Sequence, residues 1–124
     1  MEELRAALTR CVPLDALVLF GSRARGDARP DSDWDFAVVS ESFEGLSPLG
    51  RGLKIESCLR PAVELVCLTP AELLRPDGSY LRCAVLEEGT PVLDRGAFAR
   101  ARAAYVARKE AGRIRFRGRV VEFA

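Results

Sequence analysis

The sequence predicts an α+β fold, and three observations carry that prediction. Apolar runs at residues 16–20 and 62–68 have strand length and are too short for helices, and residues 33–40 read as another strand. Segments with helical spacing or helix-capping residues lie before, between and after them. The chain has 124 residues, 48% of them hydrophobic, which is enough to bury one core without disulfide or metal staples.

The elements follow in order. Leu4, Ala7, Leu8 and Cys11 share one face of a short amphipathic helix that must stop before Pro13. Residues 16–20 (ALVLF) form a buried strand ended by Gly21, and 23–32 (RARGDARPDS) form a polar loop or a single helical turn. A second strand runs from Asp33 to Ser40. Ser47 and Pro48 read as an N-cap and first turn, and Leu46, Leu49 and Leu53 mark a helix closing near Pro61. Ala62 to Leu68 is the third strand. Thr69 and Glu72 have capping-box spacing for a short helix, and a further helix covers 79–88 with Gly89 as its C-cap. Pro91 opens a short fourth strand. Residues 97–111 are Ala- and Arg-rich and helical, ended by Gly112.

Composition excludes several chemistries. The chain has no His, which removes Ser-His-Asp and Cys-His catalysis and every His-ligated zinc. Acid–base work falls to Asp, Glu, Lys, Tyr or Cys. The cysteines at 11, 58, 67 and 83 lack Cys-x-x-Cys spacing, so neither a zinc ribbon nor a redox motif is expected. With no signal peptide and no apolar run long enough to span a bilayer, the expectation is a reduced, cytoplasmic protein without a membrane association.

One stretch concentrates functional signals: Gly21-Ser22, ten residues, then Asp33-Trp34-Asp35. A strand delivers the chain to Gly21, where the missing Cβ permits close approach of a ligand. Ser22 supplies a hydroxyl and an amide suited to phosphate. Asp33 and Asp35 are two apart, so on a strand they share one face, while Trp34 and Phe36 point into the core. Two carboxylates on one face repel each other, and a hard cation such as Mg²⁺ relieves the repulsion. Glu64 is the one charge in the run 62–68, and a buried carboxylate there would also call for a metal.

The stretch GSRARGDARPDSDWDFAVV resembles the signature of the DNA polymerase β-type nucleotidyltransferase superfamily, and most closely the minimal nucleotidyltransferases of toxin–antitoxin pairs. The resemblance extends over about residues 10–95, including SYLRCAVLEEGTPVLD. It implies a nucleotidyltransferase fold of the polymerase β palm type, a small mixed sheet flanked by helices. It also implies that Gly21 and Ser22 hold a triphosphate, with Arg23 and Arg25 as further phosphate contacts. Asp33, Asp35 and Glu64 would ligate two Mg²⁺ ions, or Mn²⁺, and serve as the catalytic carboxylates, with Glu64 or Asp35 accepting the proton. The implied reaction transfers AMP from ATP to a tyrosine of a HEPN-type toxin. A non-catalytic antitoxin with a vestigial site, or transfer to a small-molecule hydroxyl, stays open as an alternative.

Charge divides the chain. Residues 1–94 carry a net −6 and residues 95–124 a net +7. The expectation is a nucleotidyltransferase domain over 1–95 and an Arg-rich C-terminal helix and tail over 96–124. Arg113, Arg115, Arg117 and Arg119 alternate with Ile114 and Phe116 at strand spacing. Such a stripe suits docking to an acidic partner or, less readily, to RNA, or it is a solvated edge. Tyr80 and Tyr105 read as packing residues.

Overall fold

The computed structural model describes residues 2–123. Helix α1 (Glu2–Cys11) leads into β1 (Ala16–Phe20), a helical turn α2 (Ser22–Arg25) and β2 (Trp34–Val39). Next come α3 (Pro48–Lys54), β3 (Val63–Leu68), α4 (Pro70–Leu74), α5 (Tyr80–Glu88), β4 (Thr90–Asp94) and α6 (Ala97–Glu110). A hairpin of β5 (Ile114–Arg117) and β6 (Val120–Phe123) follows.

The main sheet has the order β3-β2-β1-β4. β1 is antiparallel to both β2 and β4, whereas β2 and β3 run parallel, so the sheet is mixed. β1 and β2 are interior strands and are correspondingly apolar on both faces. Their alternation divides the core into two layers. Ala16, Val18, Phe20, Ala37 and Val39 face α5, α6 and the hairpin. Leu17, Phe36 and Val38 face α1 and pack on Leu4, Leu8, Phe43 and Ile55.

Pro91 lies inside β4, which is tolerated because β4 is an edge strand and needs no donor on its outer side. The helix expected to run on to Pro61 ends at Lys54. A separate 3-10 turn, Glu56–Cys58, follows it, and Cys58 enters the core. Gly89 ends α5 in an extended conformation (φ −67°), not the left-handed one its position suggested. Space explains this glycine: a Cβ here would collide with the Val85 carbonyl and with Val18.

Two caps start the helices that follow β3 and β4. Thr69 and Glu72 form the expected capping box, and Glu72 also receives Arg51 and Arg82. Asp94 accepts from the amides of Gly96, Phe98 and Ala99 at 2.9–3.0 Å and so starts α6.

Residues beyond 95 share the core of those before it. Phe98, Ala101 and Tyr105 of α6 are buried in the same layer as Val18 and Phe20, and so are Ile114 and Val121 of the hairpin. Tyr105 donates to Glu87 at 2.7 Å, and Tyr80 packs edge-on against Phe116. Arg113, Arg115, Arg117 and Arg119 are all exposed.

Candidate functional site

β1 ends where its chain must turn sharply. Gly21 has φ 77°, a left-handed value that L side chains resist, and its carbonyl accepts from the amides of both Ala24 and Arg25 at 3.0 Å. This closes α2, a single turn that Gly26 terminates with φ 85°. The first amides of the turn, Ser22 and Arg23, are its orphan donors. A second reason for glycine is contact: a Cβ at Gly21 would overlap Oδ2 of Asp35. The Gly-Ser turn and the Asp-x-Asp segment, read separately in the sequence, thus touch.

Asp33 stands one residue ahead of β2 and Asp35 lies in it, opposite Phe20 of β1 and Glu64 of β3. Asp35 shares the face of Ala37 and Val39, while Trp34 and Phe36 pack on the other side as expected. Its carboxyl is held above the usual range. Burial is the main cause, followed by the charges of Glu64 and Asp33, a hydrogen bond with Glu64, and the charge of Glu88. Asp33 is exposed.

Glu64 is exposed as well, which corrects the expectation of a buried carboxylate. β3 is an edge strand with a partner on one side only, so its start opens to water. Register still sets Glu64 beside Asp35. Among the described residues, no Arg or Lys forms an ion pair with Asp33, Asp35 or Glu64. No three His, Cys, Asp or Glu side chains among them are arranged to hold a metal ion alone. Mg²⁺ commonly takes one or two carboxylates and completes its shell with water and substrate phosphates. Asp35, whose carboxyl burial and its acidic neighbours hold above the usual range, is a hard oxygen donor that fits such an ion.

The two arginines after Ser22 have intrachain partners. Arg23 donates to the Ser32 carbonyl at 2.9 Å and the Pro30 carbonyl at 3.3 Å, and its guanidinium lies 4.6 Å over the Trp34 ring. It therefore ties the loop between α2 and β2. Arg25 pairs with Glu88 at 3.0 Å and Asp27 at 3.2 Å.

Glu88 is the residue that sequence reasoning missed. One of its oxygens accepts from the Gly21 amide at 2.9 Å, and the same carboxylate takes the Arg25 guanidinium. A signal was present. An acidic pair in the last turn of a helix opposes the helix dipole, so Glu87 and Glu88 must be stabilised from outside the helix. Glu87 is held by Tyr105 and Lys109, and Glu88 by the Gly-Ser turn.

Known proteins resemble the chain at the level of family, sequence and fold. Residues 1–92 match the family model of the nucleotidyltransferase domain. Over 40 residues the chain is 52% identical to Protein adenylyltransferase MntA of Aphanizomenon flos-aquae; that stretch is 32% of this chain and 27% of the relative. The chain thus matches only about a quarter of that relative's length. A Sulfolobus solfataricus protein solved as a candidate nucleotidyltransferase is 22% identical over 76% of this chain and 77% of its own, with a TM-score of 0.61. A crystal structure of a toxin-antitoxin with AMP-PNP is 24% identical over 90% of each chain, with a TM-score of 0.57. At these identities the structural likeness speaks for the fold alone. No helix among the described residues is long and apolar enough to cross a membrane.

Proposed function

Because the chain belongs to the nucleotidyltransferase domain family, we propose that it is a metal-dependent nucleotidyltransferase that moves AMP from ATP to a protein tyrosine. The acceptor in this reading is a HEPN-type toxin, and the chain is its antitoxin. One observation carries the catalytic part: the Asp35 carboxylate occupies the space a Gly21 side chain would fill. This contact supports reading the turn suited to phosphate and the acids suited to a divalent ion as one site. One relative's description as a protein adenylyltransferase supports a protein as the acceptor of AMP.

The roles follow from position. Ser22 offers its hydroxyl and amide to the triphosphate, with Gly21 letting the backbone approach. Asp33, Asp35 and Glu64 would hold a divalent cation, Mg²⁺ or Mn²⁺, which when bound neutralises phosphate oxygens and lowers the pKa of an attacking hydroxyl. Asp35, with its raised proton affinity, or its neighbour Glu64 accepts the proton of the tyrosine hydroxyl. Arg25 balances Glu88 beside the turn and Arg23 supports the loop, and in this reading both lie close enough to the turn to add phosphate contacts. In this reading the exposed Arg113, Arg115, Arg117 and Arg119 form the docking surface for the acidic side of the partner, on the β5–β6 hairpin.

Titration calorimetry tests the site. The chain binds ATP in the presence of Mg²⁺, and the double variant Asp33→Asn/Asp35→Asn loses the metal-dependent part. Equal affinity of the two would remove the acids from the site.

A further inference from the structure

Cys11 is the last residue of α1 and Cys58 the last of the 3-10 turn Glu56–Cys58. They are 47 positions apart in the sequence, yet their sulfurs lie 3.3 Å from each other. The Ser57 hydroxyl is 3.2 Å from the Cys11 sulfur. The pair is asymmetric: Cys11 is half-buried at the helix end, whereas Cys58 is fully buried in the layer below. Hydrogen bonds from Ser57 and then Cys58 lower the Cys11 thiol. Burial, and then its bond to Cys11, raise the Cys58 thiol. An accessible, acidified thiol above a buried one is the arrangement of an attacking and a resolving cysteine. Burial pushes Cys67 and Cys83 up to about 11, so the thiolate form is scarcer there than at Cys11.

We propose that Cys11 and Cys58 form a redox-active pair that a low-molecular-weight disulfide converts to an intramolecular disulfide. The Cys11 thiolate attacks one sulfur of the reagent; a bond forms between them, the reagent's S–S bond breaks, and one half leaves as a thiolate. Loss of that negative charge removes one obstacle to ionising Cys58. Cys58 then gives its proton to water and attacks the Cys11 sulfur, expelling the second half as a thiolate. The chain loses two hydrogens and the reagent becomes two thiols. The bridge staples α1 to the turn that leads, through Ala62 at φ 61°, into β3 and Glu64. This inference stands independently of nucleotidyl transfer.

The test is intact-mass and peptide-mapping analysis of the full chain equilibrated with oxidised glutathione. Wild type should lose two hydrogens, carry no adduct, and yield one crosslinked peptide pair joining Cys11 to Cys58. Cys58→Ser should instead retain one glutathione on Cys11, and Cys11→Ser should stay unmodified. Four free thiols in wild type, a stable glutathione adduct on wild-type Cys11, or a bridge through Cys67 or Cys83 would overturn the proposal.

Discussion

Asp35 lies so close to Gly21 that a single methyl group on the glycine would overlap the carboxylate. That contact, with the left-handed φ of Gly21, makes the position doubly intolerant. Gly21→Ala should cost about 1–3 kcal/mol of stability from backbone strain and displace the Asp35 side chain. The expected outcome is a folded chain with a lower Tm whose affinity for ATP falls by about tenfold or more, read by calorimetry. Unchanged affinity would detach the glycine from the site.

Glu88 holds the same turn from behind. Glu88→Ala leaves the Gly21 amide without its acceptor and Arg25 without its main partner, at a cost of about 1–3 kcal/mol. Glu88→Gln keeps an acceptor for the amide but loses the ion pair, so it should fall between wild type and Glu88→Ala in both Tm and ATP affinity. Equal loss in the two variants would mean that charge, not the backbone bond, is what matters.

Asp35 sets a pH dependence whose sign is opposite to that of most carboxylates. Burial, then Glu64 and Asp33, raise its folded pKa above the unfolded value of 3.8. The folded state therefore holds the proton more tightly, and the ionised group opposes folding at neutral pH. That penalty fades as pH falls through the raised value and is gone below the unfolded one. Asp35→Asn should thus raise the Tm of the metal-free chain at neutral pH, with the gain vanishing in acid. Mg²⁺ should raise the Tm of wild type more than that of Asp35→Asn. A variant less stable than wild type at neutral pH would contradict the assignment.

Glu72 behaves in the ordinary direction. Burial alone would raise its pKa, but hydrogen bonds from Arg51 and the Thr69 amide, with the charges of Arg51 and Arg82, outweigh it and hold the carboxyl below its usual range. Its contribution is present above the unfolded value and is lost as pH falls through the depressed folded value. Glu72→Ala removes the capping box and strands Arg51, costing about 2–4 kcal/mol at neutral pH and less in acid. Urea unfolding at both conditions reads this.

What the sequence revealed of the site was its local part. The alternation that sets Asp35 on the face opposite Trp34 and Phe36 depends only on strand periodicity, whereas Asp33 falls one residue before the strand begins. The exposure of Glu64 depends on strand order: an apolar run looks the same in an edge strand as in a central one. Glu88 lies 67 positions from Gly21, and no local pattern announces such a contact. The tail read as a stripe of arginines because alternation is visible in sequence. That Ile114 and Val121 anchor its hairpin in the core follows only from tertiary packing.

The most direct test of nucleotidyl transfer uses ATP labelled at the α-phosphate, Mg²⁺, this chain, and the protein encoded beside it. Label should appear on a tyrosine of that partner with release of pyrophosphate, and Asp33→Asn/Asp35→Asn should abolish it. Absence of label, with the double variant neutralising the partner as fully as wild type, would contradict transfer and leave a protein that acts by binding alone.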